Sequence, residues 1–314
     1  MFSFSPYKKT GGSQVIVKFR YALLVVSLTC ALAANVMAET FVRRTSVAVL
    51  DFGDAETGRR AADRLSQALS SDAELMLVDR AEGRAAARGA GYAGSLNMTL
   101  AEARDLGAAI GCDFYLTGDA QTLRRWPSSG PVYYEAYASI FLVSARTGRL
   151  IMWERPSFEA PSPEEAEKLL ITELAQSGAR YAAALRTARE REQNERAHAP
   201  QRSVPVIEEV PEEDSPAAQG LRLPQPYRRL QPAYTEAAAR VEAEATVDVL
   251  VDIDARGEVG RVEVLRWAGF GLDEATINTV RRLHFRPALR DGTPVPMRVL
   301  LRYNFRRPAK DGKR

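Results

Sequence analysis

The chain has 314 residues, of which 46% are apolar and 26% are charged. These values lie close to the averages of soluble globular domains, so they exclude a wholly disordered chain and a membrane protein with many spans. The length predicts about two domains.

The formal net charge of +3 is unevenly distributed along the chain. Residues 1–38 contain four basic residues and no acidic one. Residues 39–220 contain 21 basic and 28 acidic residues, whereas residues 221–314 contain 18 basic and 12 acidic residues. Positive charge is therefore concentrated at the C-terminal end, where we expect contacts with anionic surfaces to be sensitive to salt.

Residues 1–38 have the pattern of an export signal. Lys18 and Arg20 precede the apolar run YALLVVSLTCALAANVMA, which ends in small residues. We expect a signal peptide that is cleaved after Ala38, and a protein that resides in the periplasm. An uncleaved anchor in the inner membrane is the alternative, because Tyr21–Ala38 would span roughly 27 Å as a helix, which is marginal for a bilayer.

Residues 39–192 alternate between strand and helix patterns, which predicts an α/β domain of two or three layers. SVAVLDF, LMLVD and FYLTGDAQTL are short apolar runs typical of buried strands. Thr99 and Glu102 form a capping box for a helix that ends at Gly111. VYYEAYASIFLVSA and RLIMWE predict a hairpin, and one long helix begins after Ser162.

Residues 193–223 have the composition of a disordered linker. They combine four prolines with an acidic cluster and contain no Phe, Trp or Tyr. Such a segment cannot bury enough apolar surface to offset the entropy lost on ordering. Fully extended, it would reach about 100 Å.

Residues 224–308 predict a small two-layer α+β domain in the order β-β-α-β. In VDVLVDID the residues Val247, Val249, Val251 and Ile253 alternate with Asp248, Asp252 and Asp254. A helix follows from Leu272, and MRVLLRYNF alternates again. Residues 309–314 form a short basic tail. The whole chain is thus predicted to be of the α+β class, with a Pro- and Glu-rich linker between its two domains.

The terminal block resembles the C-terminal domain of TonB energy transducers. PAYTEAAA, EATVDVLVDIDARGEV, LDEATINTVRRLHFRPA, DGTPV and RVLLRYNF match that family in order and spacing. Thr235 stands where the family usually has proline, and Ala245 stands where it usually has glycine.

In the TonB family the last strand captures the N-terminal box of outer-membrane transporters by strand addition. The resemblance therefore implies a partner-binding edge, because an edge strand offers unpaired N–H and C=O groups to an extended segment. The alternative is that the alternating Arg298, Arg302 and Arg306 only protect a solvated edge from aggregation. The implied contact residues are Val299, Leu300, Leu301, Arg302, Tyr303, Asn304 and Phe305.

Residues 45–155 are similar to the N-terminal α/β domain shared by TolB and by the curli-assembly and penicillin-binding-protein-activator lipoproteins. VAVLDFG, LMLVDR, ARDLGAAIGCDFYLTGD and SARTGRLI carry this likeness. These motifs consist of core and turn residues, so they indicate a fold rather than an activity.

No motif predicts an enzyme, a cofactor or a metal site. Two histidines and the one cysteine left after cleavage, Cys112, cannot form a zinc site or a nucleophilic triad. Cys112 follows a helix end and is interpreted as a core residue. Asp51, Asp54, Asp113 and Asp119 are the remaining candidates for acid/base chemistry or for binding an ion, because they follow or precede predicted strands.

The sequence therefore predicts a non-enzymatic cell-envelope adaptor that binds an outer-membrane transporter, or another envelope protein, by strand addition and is linked to transmembrane transport. The alternative is a periplasmic scaffold or regulatory protein of envelope or cell-wall assembly, without energy transduction. An inner-membrane motor complex and a homodimer remain open as further partners, and no nucleic-acid partner is expected.

Overall fold

The computed structural model describes residues 44–198, 207–211 and 215–307. The predicted signal segment at residues 1–38 and the basic tail at 309–314 lie outside the described residues. Within the described residues, no helix is both long enough and apolar enough to cross a membrane.

The N-terminal half is built on a mixed six-stranded sheet. Its main strands lie in the order β2-β1-β3-β4-β5, and β6 pairs with the other end of β4. β1 runs parallel to β2 and β3, whereas the long β3–β4 hairpin and β5 are antiparallel. The strands are β1 (Thr45–Val49), β2 (Leu75–Leu77), β3 (Phe114–Arg125), β4 (Tyr133–Ser144), β5 (Leu150–Glu154) and β6 (Ser157–Ala160).

Five helices cover the two faces of this sheet, so the N-terminal half has three layers. They are α1 (Glu56–Leu69), α2 (Arg80–Gly89), α3 (Leu100–Ile110), α4 (Pro163–Gln176) and α5 (Gly178–Ala197). The apolar faces of α1, α4 and α5 share one core with the sheet, and those of α2 and α3 belong to the core on the other face. The predicted capping box of Thr99 and Glu102 is present at the start of α3, and Gly111 ends that helix with a positive φ of 76°.

The single long helix predicted after Ser162 is wrong in one respect, because the structure divides it into α4 and α5 at Ser177. The Ser177 hydroxyl and N–H both donate to the carbonyl of Leu174, which closes the end of α4. A Cβ atom on Gly178 would lie 2.7 Å from the carbonyl oxygen of Ala68. Glycine at this position therefore lets the start of α5 approach α1 closely, which a larger residue would prevent.

Residues 193–223, predicted as a disordered linker, contain regular elements in their described parts. Helix α5 continues to Ala197, and short elements follow in the two described stretches beyond it. They are β7 (Glu208–Glu209), a 3₁₀ turn (Pro216–Ala218) and β8 (Leu221–Arg222). Composition missed these elements because their pairing partners lie far away in the sequence, on strands near residues 289–298.

The C-terminal half contains the predicted β-β-α-β order. β10 (Ala245–Ile253), β11 (Val259–Arg266), α7 (Leu272–Val280) and β15 (Met297–Phe305) carry it, and the sheet order is β11-β10-β15-β7. Alternate residues of β10 are buried, as the sequence pattern predicts for a strand with one covered face. The remaining short elements are β9 (Gln225–Pro226), α6 (Glu236–Arg240), β12 (Phe285–Arg286), β13 (Ala288–Arg290) and β14 (Thr293–Val295).

From Thr45 onward the chain forms one compact unit, with a core that extends from the first sheet into the C-terminal half. The indole ring of the buried Trp267 stacks on Phe141 of β4, with 5.8 Å between ring centroids. Its Nε1–H donates to the carbonyl of Gly148 at 3.0 Å. Phe270 meets Phe141 edge-on and also contacts Trp153. The predicted domain boundaries stay predictions, but the two halves share a continuous apolar core.

Candidate partner-binding strand edge

The strand β15 has one fully paired side and one side that is largely unpaired. Along its first side all nine residues align with β10, from Met297 opposite Ile253 to Phe305 opposite Ala245. On its second side it pairs only with β7, in parallel, at Met297 and Arg298. Among the described residues, no strand pairs with this second side between Val299 and Phe305.

The direction of the backbone groups on β15 follows from its contact with β7. The N–H of Glu208 donates to the carbonyl of Pro296, so Pro296 directs its oxygen toward the second side. Backbone groups alternate between the two sides along a strand. The N–H and C=O groups of Leu300, Arg302 and Asn304 are therefore those that face the unpaired side.

The outer face of the β10–β15 pair is a ladder of matched side chains. Arg298 lies opposite Asp252, Leu300 opposite Leu250, Arg302 opposite Asp248 and Asn304 opposite Thr246. Both arginines bind their carboxylates in a bidentate manner at 2.6–3.0 Å, and the Thr246 hydroxyl donates to Asn304 at 2.9 Å. These hydrogen bonds raise the pKa of both guanidinium groups. Matched cross-strand pairs fix the register of β15 on β10.

The inner face of β15 anchors the strand in the core. Met297, Val299 and Phe305 are buried, and burial of the half-buried Tyr303 raises the pKa of its hydroxyl. Leu300, on the other face, is 52% exposed. The seven residues predicted for partner contact thus divide into two groups. Leu300, Arg302 and Asn304 present backbone and side-chain atoms outward, whereas Val299, Leu301, Tyr303 and Phe305 mainly hold the strand in place.

The order β10-β11-α7-β15, with the long final strand beside the first, is the arrangement that the sequence resemblance implies. Residues 230–306 match the family described as Gram-negative bacterial TonB protein C-terminal. We call residues 230–306 the TonB-like region. The comparison with curated proteins gives no significant match for the chain.

Several solved structures are similar to parts of the chain. The TonB C-terminal domain of Pseudomonas aeruginosa is 21% identical to the matched part, with a TM-score of 0.24. The match covers 28% of this chain and 87% of the Pseudomonas domain. Lipoprotein GNA1162 of Neisseria meningitidis is 15% identical, covers 44% of this chain and 99% of its own, and has a TM-score of 0.32. The LpoB C-terminal domain of Escherichia coli is 16% identical, covers 38% of this chain and 85% of its own, and has a TM-score of 0.26. Scores at this level carry no information on function.

Outside the TonB-like region, three of the four strand-end aspartates are engaged in contacts with different partners. Asp51 pairs with Arg80 and Arg84, and the Asp119 carboxylate accepts from the Tyr137 hydroxyl at 2.9 Å. Asp113 precedes β3 and accepts from a backbone N–H of β1, and Asp54 is exposed. Within the described ranges, no group of three or more His, Cys, Asp or Glu side chains is arranged to hold a metal ion.

The lone thiol of the described residues is also poorly suited to chemistry. Burial, together with the nearby Asp113 carboxylate, raises the pKa of the Cys112 side chain to about 12. The thiolate is the reactive form of cysteine. Cys112 is therefore protonated at neutral pH, as expected for a residue that fills space at the edge of the core.

Two features of the edge were not predicted from the sequence. The acidic pair of β7 lies in a segment whose composition suggests a linker, and its pairing with β15 depends on contacts more than 80 residues apart. Arg228 and Arg229 lie beside the unpaired part of β15, although they form no sequence motif. The charge excess of residues 221–314 was the only signal that pointed toward them.

Proposed function

We propose that this protein is an adaptor of the bacterial cell envelope that captures an extended segment of an outer-membrane partner on the unpaired side of β15. The family match of residues 230–306 supports a place in the cell envelope. The observation that carries the proposal is the strand β15 itself, which is fixed on β10 over nine residues and unpaired along Val299–Phe305 among the described residues.

Strand addition suits this edge for a physical reason. The outward backbone groups of Leu300, Arg302 and Asn304 form hydrogen bonds with any extended segment, whatever most of its side chains are. Anchoring of the inner face keeps the edge rigid, so little ordering entropy is lost when a partner binds. The proposed function needs no catalytic step, cofactor or metal ion. Its site is the periplasm, where a transporter of the outer membrane exposes its N-terminal segment.

A scaffold or regulatory role in envelope assembly is the second candidate function. The continuous core between the first sheet and the TonB-like region favours it, because a protein whose two halves are packed together has a shorter reach than one with a free spacer. An inner-membrane motor complex and a second copy of the chain are further candidate partners. Capture of an outer-membrane partner is the function that depends on the strand edge, so the experiment is made on that edge.

The test replaces Leu300, whose N–H faces the unpaired side, with proline. Leu300→Pro removes that N–H and places the pyrrolidine ring in the path of an added strand, whereas β10 keeps its hydrogen bonds. Binding of peptides copied from the periplasmic N-termini of the outer-membrane transporters of the same bacterium is measured by fluorescence anisotropy. We expect a loss of affinity of about tenfold or more, since a hydrogen bond contributes about 1 kcal/mol and obstruction adds to it.

The matched control is Leu300→Ala, which removes the exposed side chain and keeps the N–H. It is expected to bind within about threefold of the native protein, because affinity comes mainly from the backbone. Proline at Leu301 is a poorer test, because the N–H of Leu301 faces β10 and its loss would disturb the fold. Equal binding by the native protein and a folded Leu300→Pro variant would contradict strand addition at this edge.

A further inference from the structure

A groove of about 420 Å³ runs beside the unpaired part of β15. Leu301–Asn304 form one wall, and residues 226–231 form the other. Leu283 and Phe285, both buried, lie at its base. Residues 226–231 are held in position because β9 pairs with β12 and the Tyr227 N–H donates to the carbonyl of His284. A strand added to β15 would therefore lie between two fixed walls.

The groove carries positive charge without a compensating carboxylate in its lining. Its lining includes Arg228, Arg229 and Arg302, and no Asp or Glu. Arg302 is already paired with Asp248 on the outer face of the sheet. Arg228 and Arg229 are exposed, and no carboxylate among the described residues forms an ion pair with either of them. Two cations that have no carboxylate partner among the described residues thus line the space that an added strand would occupy.

The chain itself shows which kind of segment this edge accepts. β7 consists of Glu208 and Glu209 and adds to β15 in parallel at its first two residues. The Glu208 carboxylate accepts from the Arg290 guanidinium at 2.6 Å, and Glu209 lies 3.9 Å from Arg298. The hydrogen bond from Arg290 lowers the pKa of Glu208. An acidic extended segment, held by backbone pairing and by arginines, therefore already occupies the start of the same edge.

We propose that the groove beside β15 selects an acidic extended segment of the partner, and that β7 limits this segment to the stretch from Val299 to Phe305. The proposal rests on the proposed function, since it assumes that the edge captures a strand. Backbone pairing provides affinity without discriminating between sequences, whereas Arg228 and Arg229 favour carboxylates over neutral or basic side chains. The seven residues Val299–Phe305 span about 23 Å, which suits a strand of about seven residues.

The selectivity is tested on the complete chain with three labelled peptides. Each has eight residues of alternating threonine and valine, and two of the threonines are replaced by glutamate, by glutamine or by lysine. We expect the glutamate peptide to bind about tenfold more tightly than the glutamine peptide at low salt, and the lysine peptide to bind most weakly. Two exposed ion pairs of ordinary strength account for a ratio of this size. The ratio is expected to shrink as salt is raised.

The double variant Arg228→Gln/Arg229→Gln is expected to reduce the ratio between glutamate and glutamine peptides to about one. Arg281→Gln/Arg282→Gln is the matched control, because it removes the same charge from exposed residues that do not line the groove. Its ratio is expected to stay within about twofold of the native value. An unchanged ratio in the Arg228/Arg229 variant, or an equal loss in the control, would refute selection by the groove.

The role of β7 is tested with Glu208→Gln/Glu209→Gln, which removes its ion pairs with Arg290 and Arg298. Arg290 then loses its Glu208 partner, whereas Arg298 stays paired with Asp252. One more cation is thus available near the start of the edge, so the glutamate peptide is expected to bind a few-fold more tightly than to the native chain. Unchanged or weaker binding would overturn the limiting role of β7.

Leu300→Pro separates this proposal from the proposed function. If Leu300→Pro abolishes binding while all three peptides bind the native chain equally, strand addition holds and acidic selection fails. If no peptide binds and transporter segments do not bind either, the proposed function itself fails.

Discussion

Asp273 is a buried carboxyl group in the first turn of α7, with 7% of its surface exposed. Its two oxygens accept from the backbone N–H groups of Ala268 and Gly269 at 2.9 and 2.8 Å. Those residues belong to the turn that carries Trp267 and Phe270 against the first sheet. Burial raises the pKa of Asp273 to about 6, although the two hydrogen bonds oppose the rise. The protonation state of Asp273 is therefore coupled to the stability of this turn.

The sign of the pH effect follows from the pKa of Asp273 being higher in the folded protein than its ordinary value of 3.8. Its contribution to stability is complete below about pH 4 and is lost as the pH rises through about 6. A pKa difference of about 2 corresponds to about 3 kcal/mol. We expect that the unfolding free energy of the native protein, relative to Asp273→Asn, falls by up to about 3 kcal/mol between pH 4 and pH 7.

The measurement is urea unfolding of both proteins at several pH values. Asp254→Asn provides a control of opposite sign, because hydrogen bonds from the backbone of Glu258 and Arg256 lower the pKa of Asp254. The native protein should gain stability relative to Asp254→Asn as the pH rises through the acid range. A difference between native protein and Asp273→Asn that does not change with pH would contradict the assignment.

At the scale of elements, the segment between α2 and α3 joins the two halves through one side chain. The Asn97 amide donates to the carbonyls of Thr246 and Trp267 at 2.8 and 2.7 Å, and it accepts from the Thr246 N–H at 3.0 Å. These backbone groups lie at the start of β10 and just after β11. The amide thereby satisfies three backbone groups at the ends of two strands.

Asn97→Ala is expected to lower the unfolding free energy by about 2–3 kcal/mol, since three hydrogen bonds of about 1 kcal/mol each are lost. Asn278→Ala is the matched control, because Asn278 is exposed on α7 and its replacement should change stability by less than about 0.5 kcal/mol. Denaturant unfolding measures both. Equal stability of the two variants would show that water replaces the Asn97 contacts without loss.

The elements of this protein were predictable to different degrees for physical reasons. Periodicity identifies β3, β4, β10 and β15 because each buries alternate residues or a whole apolar run, and capping residues identify the start of α3. The break at Ser177 was missed, because the close approach of Gly178 to α1 is a tertiary contact.

The candidate site shows the same limit. Alternation of β15 and the family resemblance locate the strand, and the matching alternation of aspartates on β10 hints at the ladder to Arg298 and Arg302. The arginines are paired across the sheet and so do more than shield an edge. This pairing depends on the register between strands whose paired residues are 46 to 54 positions apart. Backbone direction and the position of Arg228 likewise emerge only from the fold.

At the scale of the whole molecule, the contact between the two halves changes how the protein is expected to work. The sequence predicts two domains on a linker about 100 Å long when extended. The structure instead packs Trp267 and Phe270 of the C-terminal half against Phe141 of the first sheet. Gly269, between Trp267 and Phe270 in the sequence, has a φ of +71°, and a Cβ atom there would lie 2.3 Å from the Phe141 ring. The unpaired edge of β15, where we propose that a partner binds, thus belongs to the same compact unit as the first sheet.

Because the two halves share a core, we expect them to stay together when the chain is cut between them. A specific protease site is inserted between Gln201 and Arg202, and the protein is cleaved after purification. We expect both pieces to elute together in size-exclusion chromatography under native conditions, because the shared apolar core holds them and the connecting peptide does not. The uncut protein and the cut protein should also bind the peptides of the β15 edge equally well.

Trp267→Ala is the informative variant of this experiment, since it removes the largest buried side chain of the contact and its hydrogen bond to Gly148. Loss of a buried tryptophan costs about 3–5 kcal/mol, so the cut variant is expected to separate into two pieces at micromolar concentration. Trp126→Ala is the control, because Trp126 is 70% exposed on the β3–β4 connection. If the native pieces separate as readily as those of Trp267→Ala, the connecting segment holds the halves together, and the TonB-like region then has the reach of a tethered domain.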